Sequence, residues 1–445
     1  MEPKKILIIT YYYKHKNAMA SVRAIKLAKY FSKAGHSVTV LTSNQIDTWT
    51  KHYLEPMSDE NIMEIYSPQI SRWNGIQNYL AKRKKQGQAR MEKIKKNSVD
   101  NIVARGYEPS LKARVRSWLA WLFYFQVAKQ EDICMFKGLK AEYKRHDFEQ
   151  FDTVIATYPT YGAFMMGMWL KKHKKCKQLI ADFRDPLYNP GFRDKKAEAN
   201  YDKKCLKKIM KTADQAVCVS QGIADGIKQE CHISKPITVI TNGYDKDDVV
   251  ANNIKVKFKE AKINFVYTGT LYHGKRCVDM LAAVLRELID EKCICKDEFS
   301  FEYAGPDYEE LLSQLKEYDM EDTANDHGFV SRETSIAMQK QADALLLLTW
   351  NEKTYQGVVP GKLFEYMAIG NVPIIALVSG DVEKSEVTKL IRKVDAGCAC
   401  EMAVTTDKKE LKKFVMNLFD GQVCLNVKTE EYNYRNISQR YIEIM

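Results

Sequence analysis

Short apolar segments, each followed by turn residues and a helical pattern, recur along the whole chain. The first, KKILIITYY, has no alternation of apolar and polar residues, which is typical of a strand buried on both faces of a parallel sheet. From Ser21 to Gly35, apolar residues recur at three- and four-residue spacing, which predicts a helix with Ser21 as its cap. Val38–Leu41 is the next predicted strand. The resulting βαβ unit predicts an α/β fold with a doubly wound parallel sheet.

The same pattern occurs twice in the 445 residues, so we expect two domains joined by a linker near residues 230–260. The first domain is predicted at 1–240 with a basic helical insertion at about 70–150, and the second at 241–430. A terminal helix at 431–445 is a candidate to pack back on the first domain. Further predicted strands are Thr153–Ala156, Leu179–Asp182, Ala216–Val219, Ile263–Thr268, Phe301–Ala304, Asp326–Val330, Ala344–Leu348 and Val372–Leu377.

Composition excludes several classes of protein. The chain is 45% apolar and 28% charged, which is ordinary for a globular protein. Its eleven cysteines are too dilute for a disulfide scaffold, and the close pairs Cys293/Cys295 and Cys398/Cys400 lack the spacing of a zinc knuckle. We expect reduced thiols in a cytoplasmic protein without a secretion signal. The longest apolar stretch, Trp118–Ala128, is about half of the ~20 residues that a membrane-spanning helix needs.

The net charge of +12 is concentrated in one segment, since Lys82–His146 contains 17 basic and six acidic residues. Such a field attracts anionic lipid, nucleic acid or a phosphorylated ligand. Within it an apolar stripe includes Trp118 and Phe125, with basic residues beside it. A membrane-surface helix and an ordinary core-facing helix both fit this pattern. We expect Lys82–Arg145 to bind an anionic membrane surface, at the inner face of the cell membrane, and no nucleic acid.

The motifs of several common enzyme classes are missing, among them G-x-G-x-x-G after a first strand, the P-loop, H-E-x-x-H and G-x-S-x-G. Two strand-to-helix junctions are the remaining candidates for a ligand site. In the first, Gly269 ends a strand, and Lys275 and Arg276 follow where they can neutralise a diphosphate. An ordinary glycine turn with two solvated cations fits the spacing equally well.

The second junction runs from Gly357 to Gly370. Pro360 and Gly361 open a helix whose free amide groups and positive dipole end can face an anionic ligand. Glu365 lies one turn inside, where its carboxylate can bind two vicinal hydroxyls such as those of a ribose. Its neighbours are apolar or aromatic, so an unpaired carboxylate there would be costly.

Five segments resemble the large family four of retaining nucleotide-sugar glycosyltransferases, and their order and spacing along the chain together make the resemblance specific. They are GTLYHGKRCVDML, VVPGKLFEYMAIGNVPIIA, GHSVTVLT, TVITNGYD and ADFRDPLY, and the last resembles members that build bacterial surface polysaccharides. The resemblance spans residues 4 to about 400 and is missing mainly in the basic insertion. It implies the GT-B fold, in which two Rossmann-like doubly wound domains face a central cleft. It also implies hexosyl transfer with retention and without a metal or other cofactor, from a UDP- or GDP-linked sugar to a glycan acceptor. A basic helix at the membrane surface would bring a polyprenyl-diphosphate-linked acceptor to the cleft.

By this resemblance, Lys275 matches the lysine that contacts the donor diphosphate, and Glu365 matches the second glutamate of the family's pair, which holds the ribose. The implied donor-binding residues are Gly269, Thr270, Val359, Pro360, Gly361, Lys362 and Glu365, and the implied catalytic residues are Lys275, Arg276 and Glu365.

The sequence departs from the family pattern at two positions. The arginine usual after the strand-ending glycine is Thr270, so Arg276 or Lys362 would supply the second cation. The first glutamate of the pair is Gly357, which leaves the donor sugar to backbone amides at the start of the helix or to Glu352. Because of these departures, the alternative is that the protein is an inactive member of the family.

Acceptor contacts are expected from the first domain. The candidates are Ala20, Ser21, Arg23, Tyr158, Asp182, Arg184 and Asp185. For Asp182, Arg184 and Asp185, a cluster of ion pairs formed only with one another is an equally good interpretation. Asp245 and Asp247 imitate a metal-binding Asp-x-Asp, but they follow a linker turn rather than a donor-binding strand, so no metal site is predicted. The alternatives are a non-catalytic scaffold for RNA or anionic lipid and a nucleotide-sugar epimerase of the same fold.

Overall fold

The structure is a computed structural model that describes residues 2–13, 19–43, 61–67, 129, 131–187, 196–232, 235–249, 254–353 and 357–445. Its first sheet has seven parallel strands in the order β3-β2-β1-β4-β5-β6-β7. The strands are β1 (Lys5–Thr10), β2 (Ser37–Ser43), β3 (Ile62–Ser67), β4 (Phe151–Tyr158), β5 (Cys176–Phe183), β6 (Gln215–Cys218) and β7 (Ile237–Val239).

Helices connect these strands. They are α1 (Met19–Lys33), α2 (131–145), α3 (Tyr161–Lys172), α4 (Lys196–Thr212) and α5 (Gln221–Cys231). Five of the six residues of β1 are buried, as expected for a continuously apolar strand in the middle of a parallel sheet.

The second sheet has six parallel strands in the order β10-β9-β8-β11-β12-β13. The strands are β8 (Ile263–Thr268), β9 (Phe299–Ala304), β10 (Ala324–Asp326), β11 (Ala344–Trp350), β12 (Ile374–Ser379) and β13 (Gly397–Glu401). The helices are α6 (Asp279–Asp290), α7 (Tyr308–Lys316), α8 (Arg332–Gln341), α9 (Gly361–Ile369), α10 (Glu386–Val394), α11 (Asp407–Phe419) and α12 (Tyr434–Ile444). The predicted pair of doubly wound parallel α/β domains is therefore confirmed.

The chain crosses between the two sheets twice, and the crossings lie side by side. The amide of Tyr244 donates to the carbonyl of Tyr432 (2.9 Å), and the amide of Tyr434 donates to the carbonyl of Tyr244 (2.8 Å). A Cβ at Gly243 would lie 2.2 Å from the Tyr432 carbonyl oxygen, so this close approach requires glycine. After the second crossing, α12 packs on α1, and its Tyr441 is buried in the same cluster as β1.

Some local predictions were wrong. Helix α1 begins at Met19, so Ser21 is not its cap but a buried residue of its first turn. The strand predicted at 326–330 is β10, which ends at Asp326, whose Oδ1 accepts from the amide of Gly328 (2.8 Å), a residue with φ +62°. Strands β3 and β13 were not predicted, and β13 contains the buried free thiols of Cys398 and Cys400. Most of the basic insertion, including the stripe with Trp118 and Phe125, lies outside the described residues.

Candidate functional site

The two predicted junctions lie at the point where the strand order of the second sheet reverses. This point is between β8 and β11, and parallel sheets bind ligands at the carboxyl ends of the strands there. Strand β8 runs into Gly269 and then Lys275, and β11 runs into the segment that precedes α9. Gly269 is fixed by hydrogen bonds, since its amide donates to the Ala304 carbonyl and its carbonyl accepts from Tyr303 Oη, each at 2.9 Å.

Glu365 lies among three polar partners. Its Oε1 accepts from Gln339 Nε2 (2.8 Å) and lies 3.6 Å from Lys362 Nζ, and its Oε2 lies 3.2 Å from an Nη of Arg332. The side chain is 9% exposed. Burial by itself would raise the pKa of this carboxyl, but Lys362 and Arg332 outweigh burial and hold the pKa below its usual value. Glu365 is therefore a pre-oriented carboxylate that stays ionised at neutral pH.

Lys362 connects the two junctions. Its Nζ donates to Thr268 Oγ1 (3.0 Å) at the end of β8, while its backbone lies in the first turn of α9. Burial lowers the pKa of the Lys362 ammonium, Glu365 opposes that effect, and the nearby Arg332 and Arg276 add to it. A ligand that supplies negative charge at this position would favour the protonated lysine.

Lys275 and Arg276 extend this group of cations outward. Lys275 Nζ lies 3.1 and 3.0 Å from the two carboxylate oxygens of Glu352, and its side chain is half exposed. The Arg276 guanidinium lies 4.5 Å from the ring centre of Tyr272 and 5.5 Å from that of Trp350. One of its Nη atoms donates to the Thr270 carbonyl (3.1 Å). Its buried Nε has no hydrogen-bond partner among the residues that the structure describes. Arg276 thus reaches back to Thr270, where the family resemblance leads one to expect an arginine.

The segment before α9 contacts the first domain. Gly357 has φ +79°, and a Cβ there would lie 2.8 Å from the Cα of Gly222 in α5. No side chain fits at this position while the two backbones are this close. Val359 packs against the core of the second domain, and Pro360 precedes α9 without capping it through a side chain. The first amides of α9, those of Gly361 and Lys362, are at the helix end that favours anions.

Arg23 was predicted to contact the acceptor, and this prediction needs correction. Its Nε and one Nη bind the two oxygens of Asp182 at 3.1 Å each, and the same Nη also lies 2.7 Å from Tyr441 Oη. The carbonyls of Ile240 (2.9 Å) and Thr241 (2.6 Å) accept further bonds. The side chains of Arg23 and Asp182 are 2% and 1% exposed. This ion pair and its hydrogen bonds join α1, β5 and α12. They use the N–H groups of Arg23 that an acceptor substrate would need.

The other predicted acceptor residues differ in exposure and in their place in the first domain. Ser21 is fully buried, whereas Ala20 beside it is partly exposed. Tyr158 ends β4, and its carbonyl accepts from Arg184 Nε (2.9 Å) beyond the neighbouring β5. The remaining candidate, Asp185, is exposed.

Arg184 is the most constrained of this second group. Burial lowers the pKa of its guanidinium, although Asp185 and Asp182 oppose the effect. Within the described part of the chain, one Nη of Arg184 is buried without a hydrogen-bond partner. The structure therefore brings Tyr158, Arg184 and Asp185 together at the carboxyl edge of the first sheet.

The Asp-x-Asp of the linker is occupied by cations of the protein. Asp245 is 2% exposed and accepts from Lys26 (2.8 Å), Lys29 (2.7 Å) and Tyr30 (3.0 Å) of α1. Burial opposes the effect, but the two lysines hold the pKa of the Asp245 carboxyl well below its usual range. Within the described ranges, no three His, Cys, Asp or Glu side chains are grouped as ligands for a metal ion.

Comparison with known proteins identifies the family. The model of Glycosyltransferase Family 4 matches residues 20–248, a little over half of the chain. The chain belongs to glycosyltransferase family 4. No curated protein matches this family 4 member in sequence.

Solved structures resemble this glycosyltransferase over almost its whole length. Sucrose-phosphate synthase from Thermosynechococcus elongatus has a TM-score of 0.57 at 11% identity, covering 99% of this chain and 98% of that one. The lipopolysaccharide outer core galactosyltransferase WaaB has a TM-score of 0.53 at 14% identity, with the same coverage. HepE from Anabaena in complex with UDP-glucose has a TM-score of 0.52 at 13% identity, covering 99% of each chain. These likenesses show that the fold is GT-B.

Sequence reasoning missed three contributors to the site. Arg332 and Gln339 contact Glu365 from α8, but they belong to no motif, and the strand predicted at 326–330 obscured the start of that helix. Gly222 contacts Gly357 from the other domain. The Ser-Arg pair at the start of α8 was the available signal, because Ser331 caps this helix and Arg332 is its first residue.

Proposed function

We propose that this glycosyltransferase moves a sugar, with retention and without a metal ion, from a UDP- or GDP-linked donor to a glycan acceptor. The observation that supports the proposal most is the placement of Glu365, Lys362 and Arg332 at the switch point of the second sheet, with Lys275 and Arg276 on the adjoining junction. A carboxylate that binds ribose hydroxyls and cations that bind a diphosphate suit the two ends of a nucleoside diphosphate.

Each residue has a role in this proposal. Glu365 accepts from the ribose hydroxyls, and Lys275, Arg276 and Lys362 neutralise the diphosphate together with the first amides of α9. HepE, which shares the fold, binds UDP and UDP-glucose in its solved complexes, which supports a nucleotide-sugar donor here. Lys275 exchanges its contact with Glu352 for the diphosphate when the donor binds.

The chemistry that fits these groups is a same-face displacement at the anomeric carbon. The bond from that carbon to the diphosphate oxygen breaks while the acceptor oxygen forms its new bond, and the acceptor proton passes to a phosphate oxygen. The protein stabilises the charge that develops on the leaving diphosphate and holds the two substrates in place. Cations and helix amides then stabilise the negative charge that a metal ion stabilises in other phosphate sites.

The acceptor in this proposal is a growing surface glycan on a polyprenyl diphosphate, and Tyr158, Arg184 and Asp185 contact it. WaaB, a lipopolysaccharide galactosyltransferase of the same fold, supports a role in surface polysaccharide synthesis. In the described part of the chain, every helix is too short or too polar to cross a membrane. Attachment to the inner membrane surface through Lys82–Arg145 completes the proposal, and the protein acts in the cytoplasm.

Nucleotide binding tests the proposal. Thermal shift and calorimetry with UDP, GDP and their sugar conjugates should show stabilisation by one nucleotide series. Glu365→Ala and Lys275→Ala should each weaken that binding at least tenfold, because each removes a charge-assisted contact worth about 1.5–3 kcal/mol. Glu317→Ala and Lys316→Ala are matched controls. Lys316 is the exposed last residue of α7, and Glu317 is the exposed residue after it.

Two results would count against the assignment. Unchanged nucleotide affinity in both site variants would show that these junctions are not the donor site. Conversion of a nucleotide sugar to its epimer with no acceptor present would favour the epimerase alternative.

A further inference from the structure

A cavity of about 390 Å³ lies between the two domains beside the predicted donor site. Its first-domain wall is α5, with Gln221 and Asp225, and its second-domain wall includes Asn351, Gly357 and Ser385. This volume is within the range of small-ligand pockets. We propose that the cavity holds an uncharged sugar ring and that Asp225 supplies the carboxylate that position 357 lacks. The inference rests on the proposed function, whose donor it places beside the cavity.

Position 357 cannot bind the sugar through a side chain, because a Cβ there would meet the backbone of Gly222 at 2.8 Å. Contact between these two glycines instead brings the start of α5 to the place where the family's first glutamate would lie. Gln221 Nε2 donates to Asp225 Oδ1 (2.7 Å), and both residues are exposed. A carboxylate held by a neighbouring amide can accept from adjacent hydroxyls of a sugar ring while the amide contacts a third.

The charges in the cavity favour a neutral ligand. Glu230 pairs with Lys203 at 2.7 Å, and Glu386 lies 3.8 Å from Lys389, so these charges are compensated within the protein. The rest of the lining contains both acidic and basic side chains. The full set of charged lining residues is Asp225, Glu230, Lys353, Glu383, Lys384, Glu386 and Lys389. A pyrophosphate needs an excess of cations, which the cluster around Lys362 has and this cavity lacks.

The position of the cavity suits a sugar next to a diphosphate. Asn351 and Lys353 in its lining are the chain neighbours of Glu352, whose carboxylate binds Lys275. Gly357, which is also in the lining, lies two positions before the predicted donor-binding residue Val359, so along the chain the cavity adjoins the predicted donor-binding segment. A ring in the cavity is therefore either the sugar of the donor or the ring of the acceptor that attacks it.

Hydrogen bonds within the second domain hold together its wall of the cavity. Buried Glu401 accepts from the amides of Lys384 (2.7 Å) and Ser385 (2.8 Å), and Ser385 caps α10. The side-chain Nδ2 of Asn351 donates to the Val382 carbonyl (2.8 Å). These groups bond within the wall, and the exposed Asp225 and Gln221 line the opposite side of the cavity from α5.

The test compares Asp225→Ala with wild type, using Asp147→Ala as a control because that aspartate is exposed and outside the cavity. Calorimetry measures the affinities for UDP, UDP-glucose, GDP and GDP-mannose. Saturation-transfer NMR measures binding of free glucose, galactose, mannose and N-acetylglucosamine to the nucleotide-loaded protein. Melting temperatures establish that each variant is folded, which we expect because Asp225 is exposed.

If the ring is that of the donor, Asp225→Ala weakens nucleotide-sugar binding about tenfold, the loss of one charge-assisted hydrogen bond, and leaves free nucleotide binding unchanged. If it is that of the acceptor, donor affinity is unchanged and the free-sugar signal is lost. Either result supports the inference. If the wild type binds nucleotide and Asp225→Ala changes neither measurement, the inference is overturned and the proposed function stands. If the wild type binds neither of the two nucleotides and neither of the two nucleotide sugars, both the inference and the proposed function are overturned.

Discussion

Replacing Arg23 by methionine should destabilise the protein strongly, because the ion pair of Arg23 and Asp182 is almost completely buried. Methionine removes both bonds to Asp182 and the donors to the carbonyls of Ile240 and Thr241. The Asp182 carboxylate then keeps Tyr441 Oη (2.7 Å) as its remaining donor among these partners. Breaking a buried pair by removing one partner costs about 3–5 kcal/mol, so we expect a loss of that size.

Urea unfolding of the full chain, followed by circular dichroism and by tryptophan fluorescence, measures this loss. Lys172→Met, a substitution of an exposed cation at the end of α3, is the control and should change the unfolding free energy by less than about 0.5 kcal/mol. The double variant Arg23→Met with Asp182→Asn should recover part of the loss, since it removes the unpaired charge. A loss below about 1 kcal/mol in Arg23→Met would refute the structural role and restore Arg23 as a candidate for acceptor binding.

Two further predictions concern Gly357 and Asp132. Gly357→Glu restores the family's residue, yet it should lower both the transfer rate and the melting temperature. The positive φ at this position costs about 1–2 kcal/mol for a residue with a side chain, and the Cβ would meet the backbone of Gly222. A faster enzyme would contradict this prediction. Burial raises the pKa of Asp132 from its ordinary value of 3.8 to about 6 in the folded protein. The folded state therefore binds more protons than the unfolded state between these values, and stability falls as pH rises through that window. Asp132→Asn keeps an acceptor for the Gly162 amide (3.0 Å) and should remove this fall, raising the melting temperature at pH 7 by about 2–4 °C for each 1 kcal/mol recovered. An unchanged slope between pH 4 and 6 would show that Asp132 is not the group responsible.

The amino-acid sequence alone determined the architecture and the two junctions, because these follow from local patterns. Strand β8 has the bounds that its apolar run predicts, and α9 begins at Gly361 and ends before Gly370 as the turn residues indicate. A period of two or 3.6 residues, or a continuous apolar run, reports which residues are buried, and glycine or proline reports where an element stops. Both signals lie within a few residues of the element that they describe.

Only the tertiary structure decided which side chains meet. Arg23 and Tyr441 are 418 positions apart, and the same residues would have suited an acceptor site had α12 not packed on α1. Arg332 reaches Glu365 from a different helix, and Gly357 faces Gly222 of the other domain. Periodicity identifies a buried face but not the residue opposite it, because the opposing residue depends on how distant elements pack. The partners of Arg23 and the contact of Arg332 with Glu365 were therefore set by how distant elements pack.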